Sequence, residues 1–107
     1  MDKINVGLIG LGTVGSGVAK MLLTRRDFLA RRAGVPLALK RIATRHPRRS
    51  QPVRIDPRIL TGNPNAVVED PEIQVVVELM GGIHPAKELV LKAIANGKHV
   101  VLSLIHI

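Results

Sequence analysis

Apolar positions along this chain follow two rhythms: short unbroken runs, and longer stretches in which they recur every third or fourth residue. The first run, Ile4–Ile9, reads as a buried strand. From residue 13 to about residue 32, Val14, Val18, Met21, Leu22 and Leu29 share one face of a single predicted helix. Gly34 and Pro36 end it. Residues 37 to 44 read as a second strand stopping at Arg45, and residues 45 to 65, with four prolines, as an irregular connection. Within that connection Val53-Arg54-Ile55 is a candidate for brief pairing. Residues 66 to 68 read as a short third strand, with a stub of helix as the alternative.

The next strong run is Ile73-Gln74-Val75-Val76-Val77-Glu78-Leu79, a buried strand ending in Gly81-Gly82. Pro85 then suits a first helical turn. Leu89, Val90, Ala93 and Ile94 give the following helix its inward face, Asn96-Gly97 caps it, and Lys98-His99-Val100-Val101 opens another strand. Strands alternating with helices imply parallel β-α-β winding with right-handed crossovers.

Composition narrows the setting. The 107 residues suffice for one domain, and the 46% apolar content is almost wholly aliphatic, with one Phe and no Trp or Tyr. Strands buried on both faces have that character. No run reaches the roughly 18 to 20 apolar residues a membrane span needs, so no membrane partner is expected. Asp2 and Lys3 lead straight into the first strand, unlike a signal peptide. Zero cysteines exclude disulfides and thiolate metal sites and suit a reducing cytoplasm.

Chemistry concentrates where the first strand meets the first helix. Val6-Gly7-Leu8-Ile9-Gly10-Leu11-Gly12-Thr13-Val14-Gly15 holds Gly-x-Gly-x-x-Gly between a strand and a helical period, the context that pattern requires. Gly10 permits a sharp turn, Gly12 removes a side chain where a pyrophosphate approaches, and Gly15 lets helix and strand pack closely. The free amides and dipole of the helix starting near Thr13 would hold the anion. These features predict a Rossmann-type doubly wound α/β fold that binds a dinucleotide.

The tip of the second strand selects the dinucleotide. An acid there would hold the ribose of NAD, whereas an arginine takes the 2′-phosphate of NADP. Ala43-Thr44-Arg45 is followed by His46, Arg48 and Arg49, and no acid stands between Leu37 and Ile55. The expectation is NADP, with NAD the alternative and Arg45 as the 2′-phosphate ligand. Gly81 and Gly82 lie past the end of a central strand, where the ribose or nicotinamide end of the cofactor would rest against backbone, or where a turn needs positive φ. Glu78 is open between touching a ribose and binding a neighbouring amide. The histidines at 46, 84, 99 and 106 lack ligand spacing, so no metal is expected, and no catalytic set can be argued from spacing.

The net charge of +8 is uneven. Residues 25 to 58 hold eleven basic residues against two acids, whereas the remainder holds five lysines against six acids. Without interleaved aromatics or a recognisable binding module, this stretch reads as solvated surface rather than as a nucleic-acid interface.

Three stretches together resemble the N-terminal NAD(P)-binding domain of homoserine dehydrogenases: residues 6 to 18, Val75-Val76-Val77-Glu78-Leu79-Met80-Gly81-Gly82, and Ala93-Ile94-Ala95-Asn96-Gly97-Lys98-His99-Val100-Val101. The likeness covers residues 2 to 101. It implies NADPH- or NADH-dependent reduction of aspartate semialdehyde to homoserine, on the route to threonine, methionine and isoleucine. It also implies pyrophosphate contacts from Gly10, Gly12, Thr13, Val14 and Gly15. The adenosine side would fall to Ala43 and Arg45, and the nicotinamide side to Gly81 and Gly82.

At residue 102 the chain departs from that family, in which the last strand runs into Thr-Ala-Asn-Lys with an active-site lysine. Here Leu102-Ser103-Leu104-Ile105-His106-Ile107 follows, matching the in-frame translation of a common transposase-based sequencing adapter. The resemblance therefore implies an incomplete Rossmann-type domain over residues 1 to 101 and a non-native tail over residues 102 to 107, with the substrate and dimerisation region, and its small-molecule substrate, belonging only to a full-length homo-oligomer. A chain lacking them should hold cofactor without turnover and leave a sheet edge uncovered. The competing expectations are the cofactor domain of another small-substrate dehydrogenase, such as an aspartate dehydrogenase-like protein, and a non-catalytic dinucleotide- or nucleic-acid-binding module.

Overall fold

The computed structural model describes residues 3–45, 55–80 and 86–102. Its strands are β1 (Ile4–Ile9), β2 (Leu37–Ala43), β3 (Leu60–Thr61), β4 (Val75–Glu78) and β5 (His99–Leu102). They form one sheet in the order β3-β2-β1-β4-β5, every pair parallel. Helices α1 (Thr13–Thr24), α2 (Arg26–Ala33), α3 (Asn65–Val68) and α4 (Ala86–Ala95) lie between them in the chain. The α/β doubly wound fold expected from the sequence is the one observed, and its strand order reverses at β1.

Alternation along the strands sorts the core into two layers. Leu8 and Ile42 are buried with Leu11 and Ala19 of the α1 side, and Val77 packs against them. Their neighbours Ile9, Ala43 and Val76 point the other way, onto Val67 and Val68 of α3 and Leu89 and Ala93 of α4. Leu8, Ile9 and Ile42 are wholly buried, each contributing about 1.5–3 kcal/mol. Gly7 matters to this packing, because a Cβ there would stand 2.5 Å from Val67 Cγ1. Its bare backbone lets α3 lie directly on β1.

Several elements differ from the sequence expectation, each for a local reason. The single helix to residue 32 is broken at Arg25, whose φ of −116° and ψ of 41° leave helical geometry. Thr24 Oγ1 donates back to the Lys20 carbonyl at 2.7 Å, a bond that bends helices. Beyond it α2 buries no residue, so nothing apolar holds a continuous axis on the sheet. Val14 and Met21 turn outward, at 44% and 49% exposure, while Ser16, Ala19 and Leu22 turn in. The close approach of Gly15 to the β1 turn sets that rotation, and residues in helical phase with Gly15 follow it.

Residues 66 to 68 are helical, and the third strand sits at Leu60–Thr61 instead. Asn63 Oδ1 accepts from the Asn65 amide at 3.0 Å, and the Asn63 carbonyl accepts from the Ala66 amide at 3.0 Å. Asn-Pro turn chemistry thus starts a helix that buries Val67 and Val68. Strand β2 stops at Ala43, one residue early. Ile55 is irregular, and Val53 and Arg54 lie outside the described residues. Helix α4 buries Leu89 and Ala93, but Ile94 is exposed together with Leu91, Val101 and Leu102. Apolar side chains of α4 and β5 are thus left exposed.

Register explains a polar hub beneath the sheet. The β1–β2 pairing shifts between Val6↔Leu39 and Gly7↔Arg41, leaving Lys40 as the extra residue of a bulge. In a regular strand successive side chains point oppositely, yet here Lys40 Nζ and Arg41 Nε lie 2.5 and 3.8 Å from Asp70 Oδ2. Burial pushes the Asp70 carboxyl up. The Lys40 hydrogen bond, the Glu72 amide and the charges of Lys40 and Arg41 outweigh that and hold its pKa below the ordinary value. A depressed folded-state pKa gives stability that is complete above the unfolded value and is lost as pH falls through the folded one. Asp70→Asn should therefore lower stability at neutral pH by about 1–2 kcal/mol and flatten its decline in acid. Parallel stability curves for the two proteins from about pH 5 to about pH 2 would contradict this.

Candidate cofactor site

Main-chain bonding continues past the strand ends and ties their tips into a rim. The Gly10 amide donates to the Ala43 carbonyl at 2.8 Å, the Leu79 amide to Ile9 at 2.8 Å, and the Thr44 amide to Thr61 at 2.9 Å. At this carboxyl edge a cleft of about 540 Å³ is lined by Gly10, Leu11, Gly12, Ala43, Thr44, Arg45, Gly62, Pro64, Leu79 and Met80. Its volume lies within the range of small-molecule sites, roughly 300–1,000 Å³.

The three glycines of the first turn have separable roles. Gly10 has a φ of 102°, and a Cβ on it would lie 3.0 Å from the Met80 nitrogen. Only glycine reconciles that conformation with the neighbouring strand end. A Cβ on Gly15 would approach the Gly10 carbonyl oxygen to 2.3 Å, so helix and turn touch backbone to backbone. A Cβ on Gly12 would meet nothing within 4 Å. The turn is closed toward the sheet and open toward the cleft.

That opening suits a pyrophosphate. The first-turn amides of α1 have no intrahelical partners, Gly12 supplies no side-chain cap, and no acid stands in the first turn. Ser16 anchors the turn from beneath, its Oγ donating to the Leu11 carbonyl at 3.3 Å and its amide to Gly12 at 2.8 Å. A helix N-terminus bare of side chains and free of negative charge binds anions through its amides and dipole. The residues present fit a dinucleotide.

Of the residues singled out from sequence, Gly10, Gly12, Ala43 and Arg45 meet at the cleft. Ala43 offers main chain, since its side chain is buried in the core. Thr13 begins α1, Val14 is exposed one residue on, and Gly15 supports the turn from below. Arg45 is exposed beyond β2, and no described lining residue is acidic. Gly81 and Gly82 lie outside the described residues, as do His46, Arg48, Arg49, His84 and Pro85. Among the described residues no three potential ligands group as a metal site, and no helix is long and apolar enough to cross a membrane.

Glu78 is resolved in favour of the amide: Oε1 accepts from the Met80 N–H at 2.7 Å. Sequence reasoning did not assign Leu11, Thr44, Gly62, Pro64, Leu79 or Met80 to the site, although all six line the cleft. Gly62-Asn63-Pro64 carried a turn signal, but with the third strand expected at 66 to 68 it did not point to the rim. Met80 had only its place beside Gly81.

The sequence profile described as the NAD binding domain of homoserine dehydrogenase matches residues 10–103. The chain belongs to this family. The homoserine dehydrogenase of Methylobacillus glycogenes is 50% identical over 101 residues, covering 94% of this chain and 24% of that protein. That of Pseudomonas aeruginosa is 46% identical over 101 residues, covering 94% and 23%. Among solved structures, a homoserine dehydrogenase from S. aureus superposes with a TM-score of 0.86 at 35% identity, over 96% of this chain and 26% of that one. One from Thiobacillus denitrificans gives 0.78 at 47%, over 94% and 23%. The chain thus spans about a quarter of the length of these homoserine dehydrogenases. Family membership favours homoserine dehydrogenase over the aspartate dehydrogenase-like alternative, and the cleft belongs to a nicotinamide dinucleotide-binding domain.

Proposed function

We propose that these residues form the cofactor-binding part of an NADP-preferring homoserine dehydrogenase, which interconverts aspartate semialdehyde and homoserine. The observation that carries the NADP preference is Arg45 at the cleft beyond β2, with no acid among the described lining residues. In this reading Gly10, Gly12, Thr13, Val14 and Gly15 hold the pyrophosphate. Arg45 takes the 2′-phosphate beside Ala43, and Gly81 and Gly82 lie against the nicotinamide half. Bound there, the reduced cofactor supplies the hydride. This chain's residues grip and orient it.

We accordingly read residues 1 to 101 as the cofactor domain and residues 102 to 107 as a non-native tail. Leu102 nonetheless takes a strand position opposite Glu78. The full enzyme is read as a cytoplasmic homo-oligomer that binds the small-molecule substrate. The basic stretch is read as solvated surface. In support, the Arg25 and Arg32 guanidinium groups lie 4.6 and 5.4 Å from the centroid of the Phe28 ring, leaving a poor platform for base stacking.

Arg45→Ala tests the central claim. A charge-assisted phosphate contact contributes roughly 1.5–3 kcal/mol, so the variant should bind NADPH about ten- to a hundredfold more weakly while NADH affinity hardly changes. Calorimetric titration of parent and variant with both cofactors reads this directly. Equal losses for NADPH and NADH would overturn the assignment of Arg45.

A further inference from the structure

Glu78 ends β4 with 5% of its surface exposed, and among the described residues no cation pairs with it. A carboxylate so buried is costly unless positive charge or hydrogen bonding offsets the lost hydration. Its Oε1 is held by the Met80 amide at 2.7 Å, and Met80 is part of the cleft wall. The same nitrogen would lie 3.0 Å from a Cβ on Gly10, so the Glu78-bound peptide packs directly against the first glycine turn. The carboxylate therefore stands one peptide group behind the wall of the cleft.

The direction of a dinucleotide across the rim follows from the strand order. With the adenosine end at the β2 tip and the pyrophosphate at the β1–α1 turn, the nicotinamide half falls toward β4. The nicotinamide ring carries a positive charge when oxidised and none when reduced, whereas the rest of the cofactor is the same in both forms. We propose that Glu78 is a positioning residue whose charge biases this cleft toward the oxidised cofactor, while its bond to Met80 fixes the wall against which the ring lies. This deepens the cofactor reading above and rests on it. A unit charge about 12 Å from the ring, at an effective dielectric of about 20, changes an affinity ratio by on the order of tenfold.

The test is titration of the chain with NADP+, NADPH and adenosine 2′,5′-bisphosphate, which has the adenosine end but no ring. Glu78→Gln keeps an oxygen for the Met80 amide and removes the charge. It should weaken NADP+ by on the order of tenfold and leave NADPH and the bisphosphate within about twofold. Glu78→Asp keeps the charge but withdraws it from the amide, so it should weaken both full cofactors and preserve their ratio. This second variant also serves if Glu78→Gln fails to fold. An unchanged NADP+ to NADPH ratio in Glu78→Gln, or a ratio that collapses in Glu78→Asp, overturns the proposal. A parent chain that binds none of the three ligands overturns the cofactor reading itself, which separates the two failures.

Discussion

Replacing Gly15 by alanine should abolish measurable NADPH binding and destabilise the fold, whereas replacing Gly12 should do only the first. A Cβ at residue 15 would stand 2.3 Å from the Gly10 carbonyl oxygen, and neither partner is a flexible side-chain tip. Either α1 moves off the sheet or the Gly10 turn is pushed toward Met80, which already leaves no room for a Cβ on Gly10. Overpacking of this kind costs roughly 1–3 kcal/mol of stability. It also displaces the first-turn amides of α1 that are proposed to hold the pyrophosphate. Losing two charge-assisted contacts at about 1.5–3 kcal/mol each weakens binding at least a hundredfold. At residue 12 the backbone is extended, with a φ of −81°, and a Cβ meets no atom within 4 Å. Gly12→Ala should therefore melt within a few degrees of the parent while its methyl group fills the space meant for the ligand. Thermal melts and NADPH titrations on both variants decide the matter. A Gly12→Ala protein that binds NADPH normally would remove the turn from the cofactor site. A Gly15→Ala protein of parental stability would show that the backbone contact is slack.

These glycines also show why some of the molecule was legible in one dimension and some was not. The Gly10–Gly15 turn could be read because each requirement is local: a strand before, a helix after, and glycines at fixed offsets between. The parallel sheet followed from aliphatic runs alternating with helical periods. What could not be read depended on contacts between distant residues. The rotation of α1 is set by the approach of Gly15 to Gly10, so the face read from periodicity is only partly inward: Leu22 is buried and Val18 packs on the core, whereas Val14 and Met21 are exposed. Two-residue β3 has no apolar run of its own and exists because the Thr44 amide reaches the Thr61 carbonyl. The lining roles of Gly62 and Pro64 vanished with it. Lys40 and Arg41 look like one more pair of surface cations until the bulge turns both toward Asp70.

Lys98→Ala should cost about 2–4 kcal/mol, because a lysine just before an edge strand is here an internal fastener. It is 8% exposed, and its Nζ donates to the carbonyls of Asp70 and Ile73 at 2.5 and 2.7 Å. Those carbonyls belong to the linker between α3 and β4, which Asn96 Nδ2 also holds through Val68 at 2.8 Å. Without the ammonium, two inward-facing carbonyls lose their donor, and the linker that places β4 beside β1 loosens. For a domain of this size the melting temperature should fall by roughly 10–25 °C. Lys98→Met distinguishes the causes, since methionine keeps most of the apolar stem and removes the donor. If donation is the cause, methionine should be nearly as destabilising as alanine, and a methionine variant of parental stability would assign the effect to packing of the stem. The cleft supplies a second readout. Leu79 and Met80 reach it only because β4 is held in register with β1. A ligand that binds only the ordered rim must raise the melting temperature of the weakened variant by mass action. Saturating NADPH should thus recover part of the loss in Lys98→Ala, and an equal melting temperature with and without NADPH would mean that the linker and the cofactor cleft are independent.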